Sequence, residues 1–152
     1  MVAKFFADEI EGPCNGCKKS RVAKQANKKT RNSKTLTKAP PKLFICFNRV
    51  DLKRVKVNGK DRSVPVKITE AVDIPLVLDM GPHMAGGTGN AMYDVDATIH
   101  HKGSTSQGGH YAAYARVEGR EWCWLSDSRA TTVGTGQALG ADASILSYTK
   151  RP

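Results

Sequence analysis

Residue types and spacing set up chemistry at one stretch, Gly108-Gly109-His110-Tyr111, taken together with Ser126 and Asp127. Histidine is the side chain whose charge changes nearest neutral pH, and it serves as a general base when a neighbouring group fixes its tautomer and steadies the imidazolium. His110 opens a strand-like run over 110–117, a polar glycine-bearing turn follows at Val117-Glu118-Gly119-Arg120, and Glu121-Trp122-Cys123-Trp124-Leu125 is a second apolar run. The pattern predicts a β-hairpin. Directly opposed residues of an antiparallel pair share a face. Folding about Glu118 sets His110 across from Ser126, and folding between Glu118 and Gly119 sets it across from Asp127. Either register gives the imidazole an oxygen acceptor, which is the base-plus-orienter half of a nucleophilic triad. The nucleophile itself is missing from the stretch.

The elements that must position this pair read mostly as strands. Leu43-Phe44-Ile45-Cys46-Phe47 is fully apolar between prolines and Asn48-Arg49, as expected for a buried strand. Val55–Val57 and Val64–Ile68 flank Asn58-Gly59, a strong hairpin signal. The run 72–78 is interrupted by Pro75 and reads as an edge strand or an exit from a sheet. Residues 81–91 form a glycine-rich loop; Gly86-Gly87-Thr88-Gly89 lacks the lysine and helix start of a phosphate cradle. The runs 93–100 and 143–149 complete the strand set, and helix is limited to parts of 5–10, 20–30 and 135–142. A β-rich α+β domain follows. His101 reads as a loop anchor, His83 and His100 as surface residues, and Cys46 and Cys123 as core thiols.

At 152 residues the chain holds one domain's worth of core, and no run approaches the roughly 20 apolar residues that span a bilayer. The N-terminus carries no apolar core of signal-peptide length, so a cytoplasmic or nuclear location is expected. The net charge of +10 is local: ten Lys or Arg and no Asp or Glu lie between Lys18 and Lys42, leaving 14 basic against 14 acidic residues elsewhere. A solvated insertion is the expectation, and a nucleic-acid surface is disfavoured because no aromatic interleaves with the charges to stack on bases. Cys14 and Cys17 have the spacing of a zinc knuckle, with a redox pair as the rival; two thiolates fill two of the four corners a structural zinc needs.

In order, these features resemble the C-terminal half of the catalytic domain of the ubiquitin-specific proteases, papain-like cysteine deubiquitinases with fingers, palm and thumb. Cys14-x-x-Cys17 is similar to the second cysteine pair of the fingers, Pro41 to Arg49 to a palm strand, and Val72 to Asp79 to the strand after it. The segment from Tyr93 through Gly103, with Gly108-Gly109-His110-Tyr111-x-x-Tyr114, resembles the histidine box; Trp122 to Ser128 resembles the segment carrying the third triad member, and Ile145 to Tyr148 the closing strand. The resemblance implies a palm sheet with part of the fingers and no thumb: about 10–42 fingers-like with a basic insertion, and 43–152 palm-like. It implies hydrolysis of the isopeptide bond after ubiquitin's terminal glycine, with His110 as base, Ser126 or Asp127 as orienter, and Gly108, Gly109 and Tyr111 along the path of the ubiquitin tail. No cofactor is required for the chemistry, and a structural zinc on Cys14 and Cys17 awaits a second cysteine pair.

Two departures from the family pattern bear on activity. The cysteine box is absent, since Cys14 and Cys17 have knuckle spacing and Cys46 and Cys123 lie in strand-like runs. Ser126 stands where most of the family has Asp or Asn, so Asp127 is the candidate source of negative charge. The expectation is half of a deubiquitinase domain, inactive alone and completed by a segment or chain bearing the cysteine box. The rivals are an inactive ubiquitin-binding scaffold and a basic accessory protein that binds polyanions.

Overall fold

The computed structural model describes residues 7–11, 29–87, 90–117, 121–140 and 142–152, the strands before Ser33 by their backbone. Cys14 and Cys17, residues 18–28 of the basic segment, most of the 20–30 helix candidate, Thr88-Gly89 and Glu118-Gly119-Arg120 lie outside the described residues. The chain divides into two compact units, Met1–Ala39 with Met80–Asn90, and Pro40–Asp79 with Ala91–Pro152. In the first, β1 (Ala7–Glu11) pairs antiparallel with β2 (Lys29–Ser33), so the 5–10 helix candidate is largely strand. A short 3-10 turn, Gly81–His83, precedes a bridge between Leu36 and Met84.

The second unit holds the histidine stretch. Its strands are β3 (Lys42–Cys46), β4 (Val50–Val57), β5 (Lys60–Lys67), β6 (Val77–Asp79), β7 (Met92–Lys102), β8 (His110–Val117), β9 (Glu121–Ser126), β10 (Arg129–Val133) and β11 (Ala143–Lys150). One described helix accompanies them, the short α1 (Thr135–Ala138), inside the 135–142 stretch expected to hold part of a helix. The main sheet runs β10-β9-β8-β7-β11-β3, with β6 also paired to β7, and every pairing is antiparallel. β4 and β5 form a separate ribbon turned by Asn58 and Gly59, whose φ values of 51° and 75° are the left-handed pair that an Asn-Gly turn accommodates. Residues 72–75 carry no regular structure, Leu76 accepts a bond from Val95 N at 3.0 Å, and the ladder with β7 runs over 77–79, consistent with Pro75 lacking the amide a ladder needs.

β7 organises the sheet because both of its edges are paired. Its buried face changes midway: Tyr93 and Val95 are buried before Asp96, Thr98 and His100 after it. The register against β11 explains the switch, since Tyr148 pairs Val95 and Ser147 pairs Ala97, leaving Asp96 as the extra residue of a bulge. Asp96 accepts bonds from Lys42 and Thr149. Its partial burial pushes the carboxyl's pKa up, but the bonds from Lys42, Thr149 and Ser147 outweigh that and hold it below the usual carboxylate range. The largest side chains of the core are satisfied at their tips: Tyr93 donates to Pro40 O at 2.7 Å, and Tyr148 donates to Pro75 O at 3.0 Å. Burial pushes the Tyr148 phenol up to about 12.

Three sequence expectations change here. β3 is an edge strand of alternating exposure, with Phe44 66% exposed, because it pairs only with β11 and nothing described covers its outer face. Cys46 is exposed and Cys123 half-buried, so neither is a core thiol. His100 is buried rather than on the surface: it pairs Ala112, packs its ring 4.6 Å from that of Tyr114, and bonds through Nε2 with Thr98 Oγ1 at 3.0 Å and Ala138 O at 3.1 Å. Thr98 also donates to Ala138 O at 2.6 Å, which ties α1 to the sheet.

Burial lowers the pKa of His100, so the unfolded chain binds a proton there more readily than the folded one. Folding stability from this group is complete above its unfolded value of about 6.5 and is lost as pH falls toward the lowered folded value. The midpoint of urea unfolding should therefore drop between pH 7 and pH 5. In His100→Gln the same interval should be flatter; an unchanged slope would show that His100 does not carry the effect.

Candidate active site

The β8–β9 ladder is set by Ala113 pairing Leu125 and Val117 pairing Glu121. Neither anticipated register is observed: a turn about Glu118 would pair Ala113 with Cys123, and the alternative would pair it with Trp124. Continued to the strand ends, the observed register puts Ser126 opposite Ala112, two residues from His110. The offset preserves parity, so His110, Ala112 and Ser126 share one face, and the histidine reaches the serine along the diagonal rather than straight across. Folding about Glu118 thus gave the right partner and face with the wrong pairing. The centre of the pairing lies one residue further along the chain than that reading assumed.

His110 is the first residue of β8 and pairs Lys102, the last of β7, so its ring stands at the sheet's end with half its surface open. Nε2 meets Ser126 Oγ at 2.5 Å. Ser126 is 8% exposed, whereas the Asp127 side chain is 84% exposed. Asp127 begins the two-residue turn between β9 and β10, with a φ of 50°, in the left-handed region that Asp tolerates better than most residues. The turn swings its carboxylate back to 3.8 Å from Nε2, close enough for a solvent-screened ion pair once the imidazole is charged. Both sequence candidates therefore converge on one ring nitrogen, Ser126 by direct contact and Asp127 at longer range.

Occupation of Nε2 decides what the ring can do. When Nε2–H donates to Ser126 Oγ, Nδ1 carries the lone pair and is the nitrogen able to take a proton. A serine hydroxyl both donates and accepts, while a carboxylate only accepts. Ser126 therefore positions the ring without enforcing the tautomer.

The backbone beside His110 is held by glycines. A Cβ on Gly109 would collide with His101 Nε2 and lie 2.5 Å from Lys102 O, and a Cβ on Gly103 would lie 2.5 Å from Gly108 O. Residues 103–109 thus close on themselves at a neck that only glycine allows. Gly108 donates its amide to Thr105 Oγ1 at 3.1 Å and has ordinary space around it. His101, 8% exposed, is the floor under Gly109, and Tyr111 covers it with ring centroids 4.7 Å apart. Tyr111 is 63% exposed and follows His110 in the strand, so it stands on the opposite face. Sequence reasoning made His101 a loop anchor without naming what it holds and gave no role to Lys67, which donates to His101 O at 2.7 Å and Gly103 O at 2.8 Å. The adjacent glycine pairs hint at a tight neck, but no sequence signal names Lys67.

No described cysteine reaches the imidazole. Cys123 pairs Ala115, which puts its thiol on the face away from His110. Cys46 lies on β3, three strand spacings or roughly 14 Å from β8. Among the described residues no three His, Cys, Asp or Glu side chains converge as a metal site.

Comparison with known proteins shows the family and the fold. The profile of the ubiquitin carboxyl-terminal hydrolase family matches residues 9–148. Ubiquitin carboxyl-terminal hydrolase 44 of Ailuropoda melanoleuca is 30% identical over 166 residues, covering 99% of this chain and 22% of that protein. Ubiquitin carboxyl-terminal hydrolase 2 of Homo sapiens is 34% identical over 104 residues, covering 67% of this chain and 17% of that protein. The chain thus spans about a fifth of the length of these relatives. Among solved structures, the SAGA DUB module Ubp8/Sgf11/Sus1/Sgf73 bound to monoubiquitin shares the fold with a TM-score of 0.72 at 19% identity, over 99% of this chain and 32% of that one. A β-rich sheet that carries a histidine at its open end, read with a family match over nearly the whole chain, leads to one conclusion: this chain belongs to the ubiquitin carboxyl-terminal hydrolase family, the ubiquitin-specific protease kind of deubiquitinase.

Proposed function

We propose that this chain supplies the general-base half of a thiol-dependent deubiquitinase site and is inactive by itself. The contact between His110 Nε2 and Ser126 Oγ carries the reading, because it leaves Nδ1 at the open end of the sheet, where a thiol on another segment or chain can approach. Nδ1 takes the thiol proton as the sulfur attacks the carbonyl of ubiquitin's terminal glycine. The imidazolium returns that proton to the departing lysine amine, and a water, deprotonated by the same nitrogen, releases the tail from the thioester. Ser126 and Asp127 stabilise the imidazolium between those steps. The Gly108-Gly109 neck presents no side chain next to the base, and the ubiquitin tail passes there. Cys14 and Cys17 would contribute two thiolates to a structural zinc with no part at the reacting bond. A second reading, an inactive ubiquitin-binding scaffold, draws support from the placement of Cys46 and Cys123 away from His110.

The direct test is incubation of the 152 residues with a ubiquitin C-terminal fluorogenic amide. No turnover is expected, and turnover abolished by His110→Ala would overturn the claim of inactivity. In an assembly that carries the cysteine, His110→Ala should lower kcat by roughly 10²–10⁴-fold, the usual worth of a positioned base, with Ser126→Ala losing less because Asp127 remains in range. Full activity of that assembly without His110 would leave the scaffold reading in possession. Gly109→Ala forces its methyl into backbone as well as the His101 ring, so it should cost about 1–3 kcal/mol of stability in denaturant melts, whereas Gly108→Ala should be near neutral.

A further inference from the structure

We infer that Lys67 is a positioning residue for His110, acting through the backbone on either side of the base's strand partner. Its ammonium donates to the carbonyls of His101 and Gly103, and these bracket Lys102, the residue that pairs His110 at the end of the β7–β8 ladder. An ammonium offers three donors on a long flexible stem, so it can span two carbonyls that no single hydroxyl could serve together. Bonds from a charged donor to backbone oxygens are stronger than neutral ones. Lys67 closes β5, and its strand end is fixed in turn: Ile68 donates its amide to Arg49 O at 2.8 Å, and Arg49 donates through Nε and Nη2 to Ala143 O on β11. The clamp is therefore anchored to the main sheet on one side and grips the last residues of β7 on the other.

What it grips is the neck that delivers His110. Gly103, whose carbonyl Lys67 holds, packs against Gly108 and Gly109, and Gly109 rests on the ring of His101, whose carbonyl is the other half of the clamp. A slip of one residue at this end would exchange the faces of His110 and Tyr111. Within the loop, Thr105 Oγ1 bonds with the backbone of Gly108, a local contact that cannot fix the loop against the sheet. Lys67 makes no contact with His110 or Ser126 and takes no part in proton transfer.

This inference rests on reading His110 as the base, but its test needs no turnover. Imidazole ¹⁵N spectra and amide hydrogen exchange are compared for the parent chain, Lys67→Met, Lys67→Arg and, as a control on the same ribbon, the exposed Lys60→Met. Lys67→Met should shift or broaden the His110 ring-nitrogen signals and speed exchange across 101–103 and 108–111 by about tenfold or more, leaving Val95 and Tyr148 protected, since only a local opening is released. Lys67→Arg should restore the His110 signals, and Lys60→Met should leave them unchanged. If Lys67→Met does not fold, Lys67→Gln makes the same comparison with a shorter, uncharged donor, and should show the same local loss. Parent-like His110 signals and exchange in the lysine-free variant would overturn the role of Lys67. Loss of the base assignment would show instead as full activity of His110→Ala in the assembled enzyme, with the Lys67 result standing.

Discussion

The pairing of β7 on both edges is the constraint on which the rest of this unit depends. Its eleven residues make β11, β6 and β8 register against one another, and the bulge at Asp96 decides which residues of the second half look into the core. Without that extra residue, the alternation that buries Tyr93 and Val95 would continue through Ala97 and Ile99, and Thr98 and His100 would turn outward. The observed switch puts Thr98, His100 and Lys102 on one face, and Lys102 carries His110 with it through the ladder. The face of the imidazole is thus settled fourteen residues before the imidazole, at a carboxylate held by Lys42 and Thr149 from two other strands. Loosening Asp96 would move the base without touching it.

Support for the base is asymmetric. Below the ring end of the sheet, His100, Thr98 and the Ala138 carbonyl form a closed, water-poor set of bonds, and burial keeps that histidine neutral. His110, two pairings away on the same face, is half-open and has one hydroxyl and one distant carboxylate as partners. A carboxylate in the place of Ser126 would add attraction for the imidazolium that a neutral hydroxyl cannot, and at 3.8 Å, with most of its surface in water, Asp127 supplies only a screened part of it. The site is built for orientation more than for charge stabilisation. That division suits the proposed role of His110, in which a partner thiol would become a thiolate and an ion pair between thiolate and imidazolium would stabilise the charge from the other side.

Much of this was legible in the sequence because local rules carried it. Asn58-Gly59 announced its turn, the runs at 93–100, 110–117 and 143–149 announced their strands, and the hairpin pattern narrowed the partner of His110 to Ser126 or Asp127. Failures came where a tertiary partner decides the outcome. An apolar run such as Leu43 to Phe47 reads as buried in any context, yet β3 has a neighbour on one side only. His100 looks like its neighbour His101 until the bulge at Asp96 and the Ala138 carbonyl, 38 residues away, give it a place in the core. The hairpin pairing was missed because moving the centre of a turn by one residue moves every partner by two and leaves parity unchanged, so face was readable where register was not.

Lys67 marks the same boundary from the other direction. In sequence it is a polar position near the end of the hairpin run 64–68, one of 24 basic residues in a chain with a conspicuous basic segment elsewhere. Its significance comes from the two carbonyls it reaches, and a carbonyl has no sequence signature. Side chains that act on other side chains leave a pattern of types and spacings, as His110, Ser126 and Asp127 do. A side chain that acts on backbone leaves a pattern only in the residues that must stay small to let the backbone come close, and here those are Gly103 and Gly109. In sequence Gly109 reads only as one of two glycines before a histidine; in the fold it packs with Gly103 in the close neck through which a lysine from a neighbouring ribbon can hold the histidine's strand in place.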